Sequence, residues 1–249
     1  MSVEPLLAPL EPAPEPERPS ASGGRVILVA SAAATLLLYN LPWFGRALAR
    51  PLILLATLAH EMGHGLTAVL LGGEFQRLEM WLNGAGVAEM DLDGFGRIRE
   101  GLCIAGGLLG PPVAAAICFA LGRTGYGARA CLGGLAGLLL VAEILWVRNL
   151  FGLVFVGTVM LFCFLGASRL SLAHAQIAVV FVGVQLALSV FSHADYLFTR
   201  GVVNPEGSFP SDVAQLERLL FLPYWFWGIL CGGTALVVLL VGLWSYWRR

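Results

Sequence analysis

The sequence predicts an all-α integral membrane protein with about seven transmembrane helices and a short β-hairpin-like loop after the second helix. Two observations favour this class. Of the 249 residues, 58% are hydrophobic and 12% are charged, whereas soluble domains contain about 25% charged residues. The mean hydropathy is +0.80. Several apolar runs also reach about 20 residues, the helix length that crosses the hydrocarbon core of a bilayer.

Residues 1–24 are predicted to form a disordered tail. Prolines recur through this segment among Glu and Ala, and such a composition cannot bury enough apolar surface to fold. The segment is acidic and proline-rich, without the basic start and short apolar core of a signal peptide. The first apolar run is therefore expected to be retained as a helix.

Residues 25–249 are predicted to form one membrane domain, because short loops join the apolar runs. In chain order, the predicted spans are residues 26–44, 51–71, 102–121, 128–146, 150–165, 172–192 and 224–247. The fifth run is short and the first contains polar residues, so about six to eight spans are compatible with the pattern. The cysteines fall singly within these spans, so we expect small buried side chains rather than disulfides or a cysteine metal cluster.

The charge pattern limits the partners. The formal net charge is −1, and the sequence contains no basic cluster, so no nucleic-acid partner is expected. The arginines divide almost evenly between the two predicted sides of the membrane, so they predict no orientation.

The second predicted span contains the sequence His60-Glu61-Met62-Gly63-His64, an HExxH motif. Residues four apart share a helix face, so His60 and His64 can present two imidazoles to one metal ion. Glu61 points to the neighbouring sector, where a carboxylate can take a proton from a water molecule that attacks an amide carbonyl. The alternative is a chance pentapeptide or a polar pair satisfied inside a helix bundle. Ionisable groups within a membrane are costly, however, and usually mark a functional site.

A catalytic zinc site needs a third protein ligand and an open fourth position. The candidates for this ligand are Asp195, His193, His174, Glu143 and Asp212. Asp195 is favoured, because it lies at the end of the sixth predicted span. The distal halves of the second and sixth predicted spans lie on the same side of the membrane. His193 is its nearest rival.

Two further polar residues lie near the end of the fourth predicted span. Glu143 is expected to make a structural contact with Arg148 rather than to bind metal. Asn149 is a candidate donor to the oxyanion of an acyl-transfer reaction, because side-chain amides stabilise such developing charge.

Residues 73–101 form a polar stretch between the second and third spans. Apolar and polar residues partly alternate on both sides of Asn83-Gly84, which predicts a β-hairpin; an irregular surface loop is the alternative. The free edge of such a hairpin would receive an extended peptide along residues 84–90, with Gly86 as a candidate contact.

The third span begins with a run of small residues. Glycines at positions 106, 107 and 110 permit close approach of another helix, and Pro111 and Pro112 disturb the backbone ladder. This helix start is expected to line the access of water to the metal, and Gly107 is a second candidate contact for the substrate.

Taken together, these features resemble the site-2 protease family of intramembrane zinc metalloproteases, and most closely its compact, peptidase M50B-like branch. The resemblance covers roughly residues 50–227. The features that carry it are His60–His64 in a membrane span, Gly86-Val87 in the polar segment, Ala105–Pro111, a late aspartate, and Ser211-Asp212-Val213-Ala214 followed by Leu222-Pro223 and Trp225.

The resemblance implies a zinc endopeptidase that cuts a membrane-embedded segment of a protein substrate, in the bacterial inner membrane. Zn²⁺ would be held by His60, His64 and Asp195, and Glu61 would act as the general base. Two alternatives remain. One is a protease-like membrane protein that binds or regulates a partner without catalysis. The other is a transporter whose polar residues line a pathway.

Overall fold

The structure is a computed structural model that describes residues 21–40, 44–192, 197–204 and 207–248. Its helices are α1 (Ala21–Asn40), α2 (Phe44–Leu70), α3 (Arg97–Leu121), α4 (Gly125–Leu145), α5 (Leu150–Arg169), α6 (Leu172–Ser192), α7 (Asp212–Leu220) and α8 (Tyr224–Trp247). Its strands are β1 (Glu74–Met80), β2 (Gly86–Asp91), β3 (Gly201–Asn204) and β4 (Gly207–Pro210). Of the predicted tail, only residues 21–24 are described, and they belong to α1.

The predicted membrane class is confirmed. Within the described residues, 6 helices are long and apolar enough to cross a membrane, namely α2, α3, α4, α5, α6 and α8. In α1 the apolar stretch is Val26–Thr35, which is shorter than a span. The prediction of about seven helices therefore agrees with the structure except at this first helix.

Helices α2 and α3 approach each other closely enough for their backbones to touch. A Cβ atom added at Gly63 would lie 2.3 Å from the carbonyl oxygen of Gly106, and one added at Gly110 would lie 2.2 Å from that of Ala59. Lipid provides no hydrophobic force between helices, so small residues that permit close packing supply the attraction instead. The predicted small-residue surface of α3 is thus the contact that positions the HExxH motif.

The predicted β-hairpin is confirmed, and the alternative of an irregular loop is wrong. Strands β1 and β2 pair antiparallel, and the Trp81 N–H donates to the Ala85 carbonyl at 3.0 Å across the turn. Gly84 has a φ of 97° in the left-handed region, where glycine carries no steric penalty. The Asn83 side chain accepts from the Ala85 N–H at 3.1 Å and closes the turn.

The outer edge of β1 is covered by the segment that joins α4 to α5. The Leu78 N–H donates to the Trp146 carbonyl at 2.7 Å, and the Arg148 N–H donates to the Leu78 carbonyl at 3.1 Å. Beyond this short parallel bridge, the Asn149 side chain continues the pairing. Its amide donates to the Met80 carbonyl at 2.5 Å and accepts from the Met80 N–H at 3.2 Å.

Asn149 also caps α5, because its side-chain oxygen accepts from the Gly152 N–H at 3.1 Å. Its hydrogen bonds in the described part of the chain therefore join the hairpin to this helix.

The predicted contact between Glu143 and Arg148 is wrong. The Arg148 guanidinium donates to the carbonyls of Leu145 and Val147, and it forms no ion pair with Glu143 among the described residues.

We expect Asn149→Ala to destabilise the protein. The substitution removes a helix cap, worth about 1 kcal/mol, and leaves the Met80 N–H and carbonyl without their partner, at about 1–3 kcal/mol for each buried group. Thermal unfolding in detergent should show a lower Tm. Asn83→Ala, which removes only the exposed turn contact, is the matched control. Equal shifts for the two variants would contradict the bridging role of Asn149.

Candidate metal centre

Three side chains converge in the structure, two from α2 and one from the start of α7. The Nε2 atoms of His60 and His64 lie 3.2 Å apart. Asp212 Oδ2 lies 3.1 Å from the first of these nitrogens and 3.5 Å from the second. One ligand atom from each residue falls within 4.8 Å of the others, which is compact enough for all three to bind one ion.

The imidazole of His64 is oriented by α3. Its Nδ1 lies 2.9 Å from the carbonyl oxygen of Cys103. A carbonyl only accepts hydrogen bonds, so Nδ1 carries a proton, and Nε2, which faces His60 and Asp212, is the nitrogen available to a metal ion. Contacts of this kind hold metal-binding imidazoles in the required tautomer.

Asp212 is held by the N-terminal cap of α7. The buried Ser211 hydroxyl accepts from the Ala214 N–H at 3.3 Å and donates to the Thr199 carbonyl. The Ser211 N–H donates to the Arg200 carbonyl at 3.2 Å. The helix itself packs on α3 and α8 through an apolar cluster that includes Val213, Leu216, Leu108 and Cys231. Asp212 therefore sits at a fixed helix end rather than on a free loop.

The donor set fits a divalent metal ion. Asp212 is 4% exposed, and its Oδ2 faces the Nε2 atoms of both histidines. Burying a carboxylate is costly unless it is paired, and a cation bound between these atoms would supply the pairing. Burial raises the pKa of the Asp212 carboxyl, but the charges of His64 and His60 outweigh it, so the net pKa lies below its ordinary value. The carboxyl is thus ionised, as a metal ligand must be.

Glu61 lies beside this group and against the hairpin. It is 8% exposed, and the Ala88 N–H lies within reach of its carboxylate. A Cβ atom added at Gly86 would lie 2.7 Å from Glu61 Cγ and 2.7 Å from Thr57 Cγ2. Only glycine permits β2 to lie so close to α2 at this position.

Alternate residues of β2 direct their backbone groups away from β1. In an antiparallel pair, residues alternate between hydrogen-bonded and non-hydrogen-bonded positions. Met80 directs its N–H and carbonyl to Asn149, away from β2, so its register partner Gly86 must direct its own groups away from β1. The same argument applies to Ala88, the register partner of Leu78. Among the described residues, β2 has no second partner strand.

A cavity of about 250 Å³ opens at this edge. Its lining comprises Ala56, Thr57, His60, Glu61, Gly84, Ala85, Gly86, Leu108, Pro111, Ser189, Val190, Leu197, Cys231, Gly232 and Ala235. One cavity is therefore lined by the imidazole of His60, the Glu61 carboxylate and the start of β2.

The structure locates the other candidates for the third ligand. Asp195 and His193 lie outside the described residues, so Asp195 as a ligand stays a prediction. His174 is exposed at the start of α6, where its Nδ1 lies 2.7 Å from Ser171 Oγ. Glu143 packs instead between α4 and α5. A Cβ atom added at Gly157 would lie 2.9 Å from its Oε1.

Asp212, the remaining candidate, is brought to the two histidines by α7. This helix has 9 residues and is too short to span a membrane. Its start carries a recognisable signal, because Ser-Asp before periodic apolar residues is typical of a helix N-terminus.

The predicted substrate contact Gly107 lies against the His64 ring. Asn149 bonds to Met80 and Gly152, and its predicted oxyanion role stays a prediction.

Comparison with known proteins gave one match. The sequence model of a protein family described as Peptidase M50B-like matches residues 27–242. The matched region includes His60, Glu61, His64 and Asp212. Comparisons with curated proteins and with solved structures found no match.

We expect Gly107→Ala to weaken metal binding. The added Cβ atom would lie 2.1 Å from His64 Nε2, so the ring must leave its position. Disturbed ligand orientation typically lowers metal affinity by about 10–100-fold, which chelator titration followed by elemental mass spectrometry would detect. Gly134→Ala in α4, where no atom lies within 4 Å of the added carbon, is the matched control. Equal chelator resistance in the two variants would show that Gly107 does not set the ligand geometry.

Proposed function

We propose that this chain, which belongs to the Peptidase M50B-like family of metallopeptidases, is an intramembrane zinc endopeptidase of the site-2 protease type. It would hydrolyse peptide bonds within or near the membrane-spanning segments of protein substrates. The observation that carries the proposal is the group formed by two imidazoles and one carboxylate, with His60 of this group and Glu61 lining a cavity beside the outer edge of β2. The proposed location is the bacterial inner membrane, where enzyme and substrate share the bilayer.

The proposed zinc ligands are His60, His64 and Asp212. Two nitrogens and one carboxylate oxygen form a ligand set known from catalytic zinc sites. Bound Zn²⁺ supplies Lewis acidity, which makes water a stronger nucleophile at neutral pH and polarises the amide carbonyl. Asp212 is preferred to Asp195 because its Oδ2 already lies against both imidazole nitrogens.

Glu61 is the proposed general base. It follows the first histidine on α2, lines the cavity, and is oriented by the Ala88 N–H. From this position it would take the proton from the attacking water and return it to the leaving amine. The intact carboxylate also favours catalysis over the alternative of a non-catalytic, protease-like binding protein.

The free edge of β2 is the proposed binding site for the substrate backbone. A membrane-spanning helix bonds its amides internally, so the scissile amide must be unwound before it can be attacked. An unwound segment in lipid needs new partners for its N–H and carbonyl groups. The N–H and carbonyl of Gly86 and the carbonyl of Ala88, which point away from β1, can supply them by strand addition, beside Glu61.

The zinc content of the purified protein tests the ligand set. We expect about one zinc per chain for the wild type, little or none for His60→Ala and Asp212→Asn, and full zinc for Asp195→Asn. Elemental mass spectrometry in detergent measures all four. Asp93→Asn, an exposed carboxylate on the hairpin side, is the matched control. Loss of zinc in Asp195→Asn with retention in Asp212→Asn would assign the third ligand to Asp195 instead.

Glu61→Gln should separate metal binding from catalysis. We expect normal zinc content and a loss of cleavage of at least about 100-fold, because general-base catalysis contributes roughly 10²–10⁴-fold. Casein in detergent is a suitable probe, since it is largely unfolded and requires no helix unwinding. Glu74→Gln, at the exposed start of β1, should leave cleavage unchanged. Undiminished cleavage by Glu61→Gln would remove Glu61 from the mechanism.

A further inference from the structure

The lining of the cavity has two chemically different parts. The part from α2 and the hairpin carries Thr57, His60, Glu61 and the backbone of residues 84–86. The part from α3, α6, α8 and the segment before β3 is mostly apolar and includes Leu108, Pro111, Val190, Leu197, Cys231, Gly232 and Ala235. Among its residues that the structure describes, none has a charged side chain. A substrate strand at β2 would therefore have the polar groups along its backbone and the apolar wall facing one of its side chains.

The α8 portion of this wall is made of small residues. Cys231 and Ala235 are four residues apart and share a helix face, with Gly232 beside them. On the faces that are exposed, α8 also carries large apolar residues such as Ile229 and Val237, each 59% exposed. The part of α8 that lines the cavity thus has no large side chain among the described lining residues.

Packing does not account for all of these small residues. Gly228 does permit a close backbone approach, because a Cβ atom added there would lie 2.1 Å from the Leu197 carbonyl oxygen. At Gly232, the atom of the described residues that the added carbon would meet is the end of the Leu197 side chain, at 3.2 Å. What Gly232 and Ala235 leave is open space next to the proposed reaction centre.

We propose that this wall, formed by Cys231, Gly232 and Ala235 with Leu108 and Leu197, is a specificity subsite. It takes a bulky aliphatic side chain, of the size of Leu, Ile or Met, at a fixed position next to the scissile bond. Charged side chains are excluded, because nothing in this wall would pair with them and burial without a partner is costly. The inference rests on the proposed function, since a subsite has meaning only for a peptide-cleaving site.

Substitutions that fill the subsite should change which bonds are cut. Casein cleavage sites, mapped by mass spectrometry, should be flanked in the wild type by bulky aliphatic residues at one position. In Ala235→Leu, the ratio of cleavage sites with Gly or Ala at that position to sites with Leu, Ile or Met should rise by at least about 10-fold. Apolar pockets discriminate by roughly 10–200-fold per methylene-sized change. Gly232→Val narrows the same space from a neighbouring position and should act in the same direction.

Gly233→Val is the matched control, because no atom lies within 4 Å of its added carbon. It should keep the wild-type cleavage profile. An unchanged profile in a zinc-loaded, monodisperse Ala235→Leu or Gly232→Val variant would overturn the subsite while leaving the protease intact. A wild-type profile without any aliphatic preference would do the same. Absence of Glu61-dependent cleavage by the wild type would instead overturn the proposed function, and the subsite with it.

Discussion

The backbone contact between α2 and α3 is the interaction on which the centre of this protein depends. Glycine at positions 63, 106 and 110 brings the two helices together in a solvent that gives apolar side chains no reason to associate. At the same crossing, Gly107 makes room for the His64 ring and the Cys103 carbonyl orients it. One interface therefore packs the membrane helices and sets the direction of a proposed metal ligand.

The hairpin shows how a strand edge can be closed or left open within a largely helical protein. The outer edge of β1 is paired by the backbone of residues 146–148 and then by the side-chain amide of Asn149, which acts as a substitute for a further strand residue. The outer edge of β2 lies instead along α2 and the cavity. An exposed sheet edge invites indiscriminate pairing, and enclosing this one beside Glu61 restricts which chains can reach it.

Local sequence patterns predicted the features that depend on neighbouring residues. The HExxH spacing, the apolar runs and the Asn83-Gly84 turn are all encoded within a few residues of one another, and the structure contains a helix or a turn at each. Features that depend on distant partners were not predictable in this way. Asn149 meets Met80 across 69 residues of chain, and its type alone suggested chemistry rather than pairing. Asp212 reaches the histidines through the packing of α7 on α3 and α8. A local pattern of apolar residues does not predict which distant helices pack together.

The order of the converging residues along the chain has a consequence for biosynthesis. Synthesis proceeds from the N-terminus, and domains form as the chain emerges. Helix α2, with both imidazoles, enters the membrane early, whereas the cap at Ser211 that fixes Asp212 exists only after α6 has been made. A partly synthesised chain therefore carries two of the three converging groups and no anchored third. The proposed metal centre is therefore complete only once α7 has packed on α3 and α8.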